Sequence, residues 1–272
     1  MQTFLTDVHN HSTFSSDGVS SLSEMLKTAQ EKGVAFYGVA EHFEYGENLY
    51  EHEPEIDAEE YFHSARHLQE DYAGVMNVLV GAEYGYTADQ NAQGRYAMNA
   101  KKHRPDFAVN SVHMKDKIDY YTQIWFYTDV NGVRVLRDKN EVYREYLAIV
   151  KESLDVPYPY DIVGHLGYPA RYAPYEDKAM RYDELAKEFD EVLLKIIEKG
   201  KILEVNAAGF FASEDVLKRY FELGGRMVSY ASDAHSTQSI LRNRAEIVAV
   251  LKKIGFTYVT VPCRGEYIKV DL

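Results

Sequence analysis

The sequence has one cysteine, a deficit of basic residues and no long apolar run, and each absence excludes a class of protein. Cys263 has no partner with which to form an internal disulfide, so a disulfide-stapled secreted domain is excluded. Lysine and arginine number 30 against 43 acidic residues, and the net charge of −13 argues against a nucleic-acid or anionic-membrane surface. No stretch approaches the roughly 20 apolar residues of a membrane helix, and the N-terminus has no signal-peptide pattern. We therefore expect a cytoplasmic protein that acts without nucleic acid or membrane.

Short apolar segments alternate with amphipathic segments along the chain. Asp57 is a plausible helix N-cap with Glu60 three residues later, and Gly33 closes an earlier segment that has apolar residues at helical spacing. Strands separated by helices indicate a parallel sheet, and seven or eight such units favour one barrel domain over residues 1–272. The predicted strands are 3–9, 34–40, 76–83, 106–113, 160–165, 201–206, 226–232 and 256–261. The predicted helices are 21–32, 57–72, 141–153, 182–199, 213–223 and 239–254.

Residues 115–140 interrupt this alternation. They are rich in aromatic residues, among them Tyr120 and Trp125, and they contain Asn131-Gly132, a pair typical of a β-hairpin turn. We predict an inserted loop or hairpin in this segment. Beside the mouth of a barrel it would either cover a site or form a surface hairpin packed on itself, and both alternatives stay open.

Functional residues of a βα barrel lie at the C-terminal ends of its strands, and here those positions are rich in His, Asp and Glu. His9 and His11 are two residues apart, so both imidazoles face the same side of an extended segment. One such histidine is more often a hydrogen-bonded packing residue than a ligand. So many buried imidazoles and carboxylates together need a partner, and divalent metals supply one. The strand ends read Asp7-Val8-His9-Asn10-His11, Glu41-His42, Gly81-Ala82-Glu83, Ser111-Val112-His113, Gly164-His165, Glu204-Val205-Asn206 and Ser232-Asp233-Ala234-His235.

These motifs, in this order, resemble the polymerase-and-histidinol-phosphatase (PHP) superfamily. Its first motif, D-x-H-x-H-[ST]-x-x-S-x-D-G, is matched at every specified position of residues 7–18, and the resemblance extends to His235. The chain is most similar to the stand-alone histidinol-phosphatase branch, although Glu41 replaces a common Asp and Asp17 stands where some relatives have His. The resemblance implies a distorted (β/α)7 TIM-like barrel with a metal centre at the C-terminal ends of the strands.

The resemblance also implies three divalent metal ions. The first would be held by His9, His11, Glu83 and Asp233, the second by Glu83 as a bridge with His113 and His165, and the third by Asp17, His42 and His235. Mixed imidazole and carboxylate ligands suit zinc, manganese or iron. A hydroxide shared by two such metals would attack the phosphorus of a phosphomonoester and displace its alkoxide.

The implied reaction is hydrolysis of L-histidinol phosphate, with Glu83, Asp233 and Arg171 as catalytic residues. Arg171, six residues after His165, offers two donors to a phosphate, or it is a surface arginine. Arg264, after the last predicted strand, is a second phosphate candidate. Asn206 would orient a ligand or the substrate, or bond to a neighbouring loop. The acidic residues after the second strand would attract the ammonium group of the substrate or only solvate a loop: Glu44, Glu47 and Glu51.

Three alternatives remain from the sequence. The first is a PHP phosphoesterase for another small phosphomonoester. The second is an amidohydrolase barrel, which also begins with His-x-His but typically carries a lysine at the end of the fourth strand, where His113 stands and Lys115 follows. The third is a metal-stabilised module without activity, as PHP domains can be within polymerases. The sequence indicates a small-molecule partner and no particular oligomeric state.

Overall fold

A seven-stranded parallel sheet curves until its edges meet and forms a nearly closed barrel. This computed structural model describes residues 5–45, 55–209 and 213–272. The strands are β1 (Leu5–Asp7), β2 (Val34–Phe43), β3 (Asn77–Gly85), β4 (Phe107–Ser111), β5 (Met114–Lys115), β6 (Ile118–Asp119), β7 (Tyr127–Val130), β8 (Val133–Leu136), β9 (Ile162–Val163), β10 (Ile202–Asn206), β11 (Val228–Ala231), β12 (Tyr258–Cys263) and β13 (Glu266–Asp271). The barrel order is β1-β2-β3-β4-β9-β10-β11, and Asn10 bridges to Ala234 where the first and last strands meet. The implied (β/α)7 barrel is confirmed.

Helices lie between the barrel strands. They are α1 (Leu22–Glu31), α2 (Ala58–Asp71), α3 (Gln90–His103), α4 (Lys139–Ser153), α5 (Tyr168–Tyr172), α6 (Ala186–Glu198), α7 (Glu214–Glu222) and α8 (Arg244–Ile254). Asp57 caps α2 by accepting from the Glu60 N–H at 3.1 Å, as predicted. Helix α3 was not predicted; its sequence is rich in Asn, Gln and basic residues, which obscures the apolar spacing of a helix. Within the described ranges, no helix is long and apolar enough to cross a membrane.

The predicted eighth strand, 256–261, corresponds to β12, but β12 lies outside the barrel. It pairs antiparallel with β13 through a turn at Arg264 and Gly265, whose φ angles of 52° and 84° are left-handed. The Arg264 guanidinium Nε donates to Asp106, which immediately precedes β4, at 2.7 Å. This hairpin therefore contacts the N-terminal side of the barrel, opposite to the strand ends that carry the histidines.

The aromatic insertion divides into two parts. The first part packs inward: Asp119 is buried and accepts from the Tyr168 hydroxyl at 3.1 Å, and Phe126 is fully buried. The second part is the exposed hairpin β7–β8, which turns at Asn131-Gly132 with φ angles of 55° and 79°. The turn was predicted from those two residues. Each predicted alternative thus describes one part of the segment.

Candidate metal centre

One end of the barrel gathers the polar strand ends. Because all barrel strands are parallel, their C-terminal ends meet at the same rim. Asn10 turns away between His9 and His11, and its amide donates to the Gly38 carbonyl at 3.1 Å, so the two imidazoles share one side. The nine side chains predicted as ligands all lie at this end: His9, His11, Asp17, His42, Glu83, His113, His165, Asp233 and His235.

The carboxylate of Glu83 occupies the centre of this group and is fully buried. Its Oε2 lies 2.8 Å from His42 Nδ1 and 3.3 Å from His9 Nε2. Its Oε1 lies 3.0 Å from His165 Nε2 and 3.3 Å from His113 Nε2. Oε2, which also lies 3.6 Å from His11 Nε2, thus faces the pair His9 and His11, and Oε1 faces the pair His113 and His165, as the oxygens of a bridging carboxylate would.

Two pairs of imidazole nitrogens lie unusually close together. His9 Nε2 is 3.1 Å from His11 Nε2, and His113 Nε2 is 3.1 Å from His165 Nε2. The Nδ1 atom of His9 lies 2.6 Å from Glu204, and the Nδ1 atom of His113 lies 2.7 Å from Glu44. With Nδ1 held by a carboxylate, each Nε2 faces the centre, where it is placed to bind a metal.

These residues fit divalent metal ions. Among the described residues, Glu83 Oε2 and His42 Nδ1 have no hydrogen-bond partner, although they are 2.8 Å apart. A buried carboxylate oxygen without a partner is costly, and a cation bound to Glu83 Oε2 beside His9 and His11 would remove that cost. Three triads have their ligand atoms within 4.8 Å of one another: His9 His11 Glu83, His42 Glu83 His113, and His11 His42 His235.

The third predicted group is more open than the other two. His235 Nε2 is 3.1 Å from Asp17 Oδ2, and His42 Nε2 is 3.7 Å from Asp17 Oδ1. The Asp17 side chain is 58% exposed, so this group faces the solvent side of the site. His42 contacts both this group and Glu83, and it therefore joins the buried and open halves of the centre.

The charges of the centre are strongly coupled. Burial opposes ionisation of Glu83, but His9, His113 and His42 together outweigh burial and hold the pKa of Glu83 well below its usual range. Burial, with His42 and His235 beside it, lowers the pKa of His11 to about 3. Both groups are thus held in the forms that coordinate metals, a carboxylate and a neutral imidazole.

Sequence reasoning missed the residues that hold the ligands in place. Glu204 orients His9, Glu44 orients His113, and the Ser111 hydroxyl donates to Glu83 Oε1 at 2.5 Å. A Cβ on Gly164 would stand 2.2 Å from the Ser111 hydroxyl oxygen, so glycine leaves the room for that bond. Glu204, Ser111 and Gly164 lie inside the motifs at the strand ends, and this location was the one sequence feature that could have indicated their supporting roles. Glu47 and Glu51 lie outside the described residues.

The prediction that Asn206 contacts substrate or phosphate needs correction. Asn206 is fully buried, and its amide donates to Glu204 Oε2 at 3.0 Å and to Asp233 Oδ2 at 3.2 Å. Its side-chain oxygen accepts from the Ala208 N–H at 2.9 Å. Because every polar atom of this amide is engaged with protein, Asn206 positions the predicted ligand Asp233 and bonds to the Ala208 loop, which are the other predicted alternatives.

The prediction that Arg264 binds phosphate is wrong. Arg264 lies on the β12–β13 turn and pairs with the buried carboxylate of Asp106 at the opposite end of the barrel. The same carboxylate accepts from Arg66, Gln69 and the Val80 N–H. The arginine was placed after a barrel strand only because β12 was expected to belong to the barrel.

Replacement of Arg264 tests this correction. We expect Arg264→Ala to leave kcat/KM for the predicted hydrolysis of L-histidinol phosphate within about twofold of the unmutated protein. It should lower the free energy of unfolding by about 1 kcal/mol or less, because the guanidinium is largely exposed and Asp106 keeps three other donors. Steady-state kinetics and urea unfolding measure the two quantities. A tenfold loss of kcat/KM in a stably folded variant would return Arg264 to the active site.

A cavity of about 430 Å³ opens above the metal centre. Arg171 lines it, and its Nη1 donates to the Ala208 carbonyl at 3.3 Å. Aromatic walls come from Phe14, Tyr121, Tyr168 and Tyr172. The inward part of the insertion therefore contributes directly to the cavity through Tyr121.

The lysine on which the amidohydrolase alternative depends is engaged elsewhere. Lys115 Nζ lies 2.7 Å from the Glu145 carboxylate and 4.7 Å from the centre of the Trp125 ring. A bridging carbamate would need this nitrogen among the imidazoles, whereas it contacts Glu145 and Trp125. Glu83, not Lys115, lies between the imidazoles of the candidate centre. The structure therefore gives the amidohydrolase alternative no support.

Comparisons with known proteins agree with this geometry. Residues 7–208 match the PHP domain family. The chain is 28% identical over 263 residues to a probable histidinol-phosphatase of Thermotoga maritima, covering 94% of this chain and 95% of the relative. It is 27% identical to a histidinol-phosphatase of Lactococcus lactis, covering 92% of this chain and 91% of the relative. A crystal structure of the histidinol phosphate phosphatase from that species, complexed with zinc, L-histidinol and phosphate, superposes with a TM-score of 0.83 at 24% identity over 97% of this chain and 99% of the other.

Proposed function

The chain belongs to the PHP domain family, and from that premise we propose that it is a metal-dependent phosphomonoesterase that hydrolyses L-histidinol phosphate to L-histidinol and inorganic phosphate. The observation that carries the proposal is the central carboxylate of Glu83 between two converging imidazole pairs at the base of a cavity. Relatives of 26–28% identity that bear the name histidinol-phosphatase support the choice of substrate.

The proposed centre holds three divalent ions, drawn from zinc, manganese and iron. Glu83 would bridge the first two ions, and Asp17 would bind the third, on the open side. Among the three candidate elements, zinc is supported by its presence in the Lactococcus lactis structure. The remaining ligands would be His9, His11 and Asp233 for the first ion, His113 and His165 for the second, and His42 and His235 for the third.

Bound divalent ions lower the pKa of a coordinated water and stabilise negative charge on a phosphoryl oxygen. The residues of the chain prepare the site for that chemistry. Glu204 and Glu44 keep His9 and His113 in the tautomer that binds metal. Asn206 fixes the Asp233 carboxylate. These side chains would otherwise have to reorganise during the reaction, so their fixed positions reduce its barrier.

The cavity suits both ends of the proposed substrate. Its volume of about 430 Å³ lies in the range of small-molecule sites. The planar guanidinium of Arg171 would donate to two phosphate oxygens at once. The faces of Tyr121 and Tyr172 would pack against the imidazole ring of histidinol. A small-molecule phosphomonoester is thus the proposed partner, bound by one domain.

A substrate panel tests the proposal. We expect the metal-loaded enzyme to hydrolyse L-histidinol phosphate with a kcat/KM about 100-fold above that for glycerol phosphate and p-nitrophenyl phosphate, because neither offers an ammonium group or an imidazole to the cavity. Phosphate release measures the rates. Equal or faster turnover of another ester would reject the substrate but retain the reaction type. No release from any ester would reject the phosphatase itself and favour a module without activity.

A further inference from the structure

Arg242 lies in the cavity wall beside the proposed metal centre. It lines the cavity together with Asp17, His235 and Ser239. It follows β11, whereas Arg171 lies in α5, which follows β9. Because β10 stands between β9 and β11 in the barrel, the two arginines approach the cavity from opposite sides of the β10 end.

The guanidinium of Arg242 has no partner in the parts of the chain that the structure describes. No carboxylate there lies within 4.0 Å of it, and its side chain makes no hydrogen bond to those residues. The chain is acidic, and seven other described arginines do reach a carboxylate: Arg66, Arg95, Arg137, Arg144, Arg181, Arg219 and Arg264. Arg242 thus places a guanidinium without a described partner in the wall of the cavity, which a bound anion would explain.

The backbone around Arg242 is strained and firmly held. Leu241 and Asn243 have φ angles of 63° and 50°, which a leucine in particular adopts at an energetic cost. The Leu241 N–H donates to Asp7 Oδ2 at 3.1 Å, and the Tyr230 hydroxyl donates to the Arg242 carbonyl at 2.6 Å. Such strain persists only where neighbours over-determine the conformation, and here it fixes the side from which Arg242 enters the cavity.

We propose that Arg242 is a second phosphate-binding residue, which donates to a phosphoryl oxygen from the side opposite Arg171. The inference rests on the proposed function. The substrate carries a phosphate at one end and an ammonium group with an imidazole at the other. A guanidinium is attracted by the phosphate and repelled by the ammonium group. Asp17 and Asp233, the nearby acidic residues of the cavity, are assigned to metals, which leaves Arg242 to the phosphate.

The test compares Arg242→Ala and Arg242→Lys with Arg134→Ala, each in the metal-loaded enzyme. Arg134 lies on the exposed hairpin and its replacement removes the same charge away from the cavity. Calorimetry measures binding of inorganic phosphate and of L-histidinol separately, and neither measurement depends on turnover. We expect Arg242→Ala to weaken phosphate binding by about 10- to 100-fold and to leave L-histidinol binding unchanged. Arg242→Lys should recover part of the loss, because lysine keeps the charge but not the two-pronged geometry.

The unfolding free energy of Arg242→Ala should equal that of the unmutated protein, because the side chain holds no described partner. Unchanged phosphate binding in Arg242→Ala, or a loss confined to L-histidinol, would overturn the inference while leaving the proposed function intact. Weakened phosphate binding in an enzyme that does not hydrolyse L-histidinol phosphate would uphold the inference and reject only the substrate. A loss of equal size in Arg134→Ala would also overturn it, because net charge alone would then explain the effect.

Discussion

Glu83→Gln is expected to lower kcat/KM by at least about 10³-fold and to release two of the three proposed metal ions. The substitution keeps the shape of the side chain and leaves an oxygen to accept from Ser111. It removes the carboxylate that faces both imidazole pairs. Elemental analysis of the purified variant gives its metal content, and phosphate release from L-histidinol phosphate gives its activity.

The size of this effect follows from the position of Glu83 between the histidines. An amide nitrogen in place of Oε2 is a donor, so it cannot bind a cation where the carboxylate oxygen did. The imidazoles that remain would meet at the centre without the negative charge that now compensates them. Glu222→Gln is the matched control, because it removes one charge from the exposed end of α7. Full metal content with normal activity in Glu83→Gln would refute the bridging role.

The metal ligands could be predicted from the sequence because strand geometry imposes a short-range pattern. His9 and His11 share a side because they are two residues apart on an extended segment, and parallel strands bring distant ends to one rim. Their supporting partners follow no such rule. Glu204 is separated from His9 by 195 residues, and Glu44 from His113 by 69. Only the packed barrel reveals which carboxylate orients which histidine.

The roles of Arg264 and Arg242 could not be predicted from the sequence, each for its own physical reason. Arg264 was assigned to the site because its strand resembled the others in apolar content, and apolar content does not specify whether a strand pairs parallel or antiparallel. Arg242 was overlooked because the predicted helix 239–254 included it. The helix begins only at Arg244, because Leu241 and Asn243 have left-handed backbone angles that a right-handed helix does not contain.

Removal of metal with a chelator is expected to reduce activity by more than about 100-fold and to lower the melting temperature by about 10 °C. The folded barrel brings the ligands together, so metal binds the native state and stabilises it by mass action. An ion at a thousand times its dissociation constant contributes about 4 kcal/mol, and each kcal/mol shifts the melting temperature of a chain of this size by about 2–4 °C. Calorimetric scans before and after chelation measure the shift.

Restoration separates a metal effect from damage by the chelator. Addition of zinc, manganese or ferrous iron to the stripped protein should recover both activity and melting temperature, and the ion that recovers both is the one that the site favours. Glu83→Gln is the internal control: its melting temperature should change less on chelation, because it has fewer ions to lose. If the unmutated protein and Glu83→Gln melt at the same temperature with and without chelator, the buried cluster binds no stabilising metal. Its imidazoles and carboxylates would then compensate one another by protons alone.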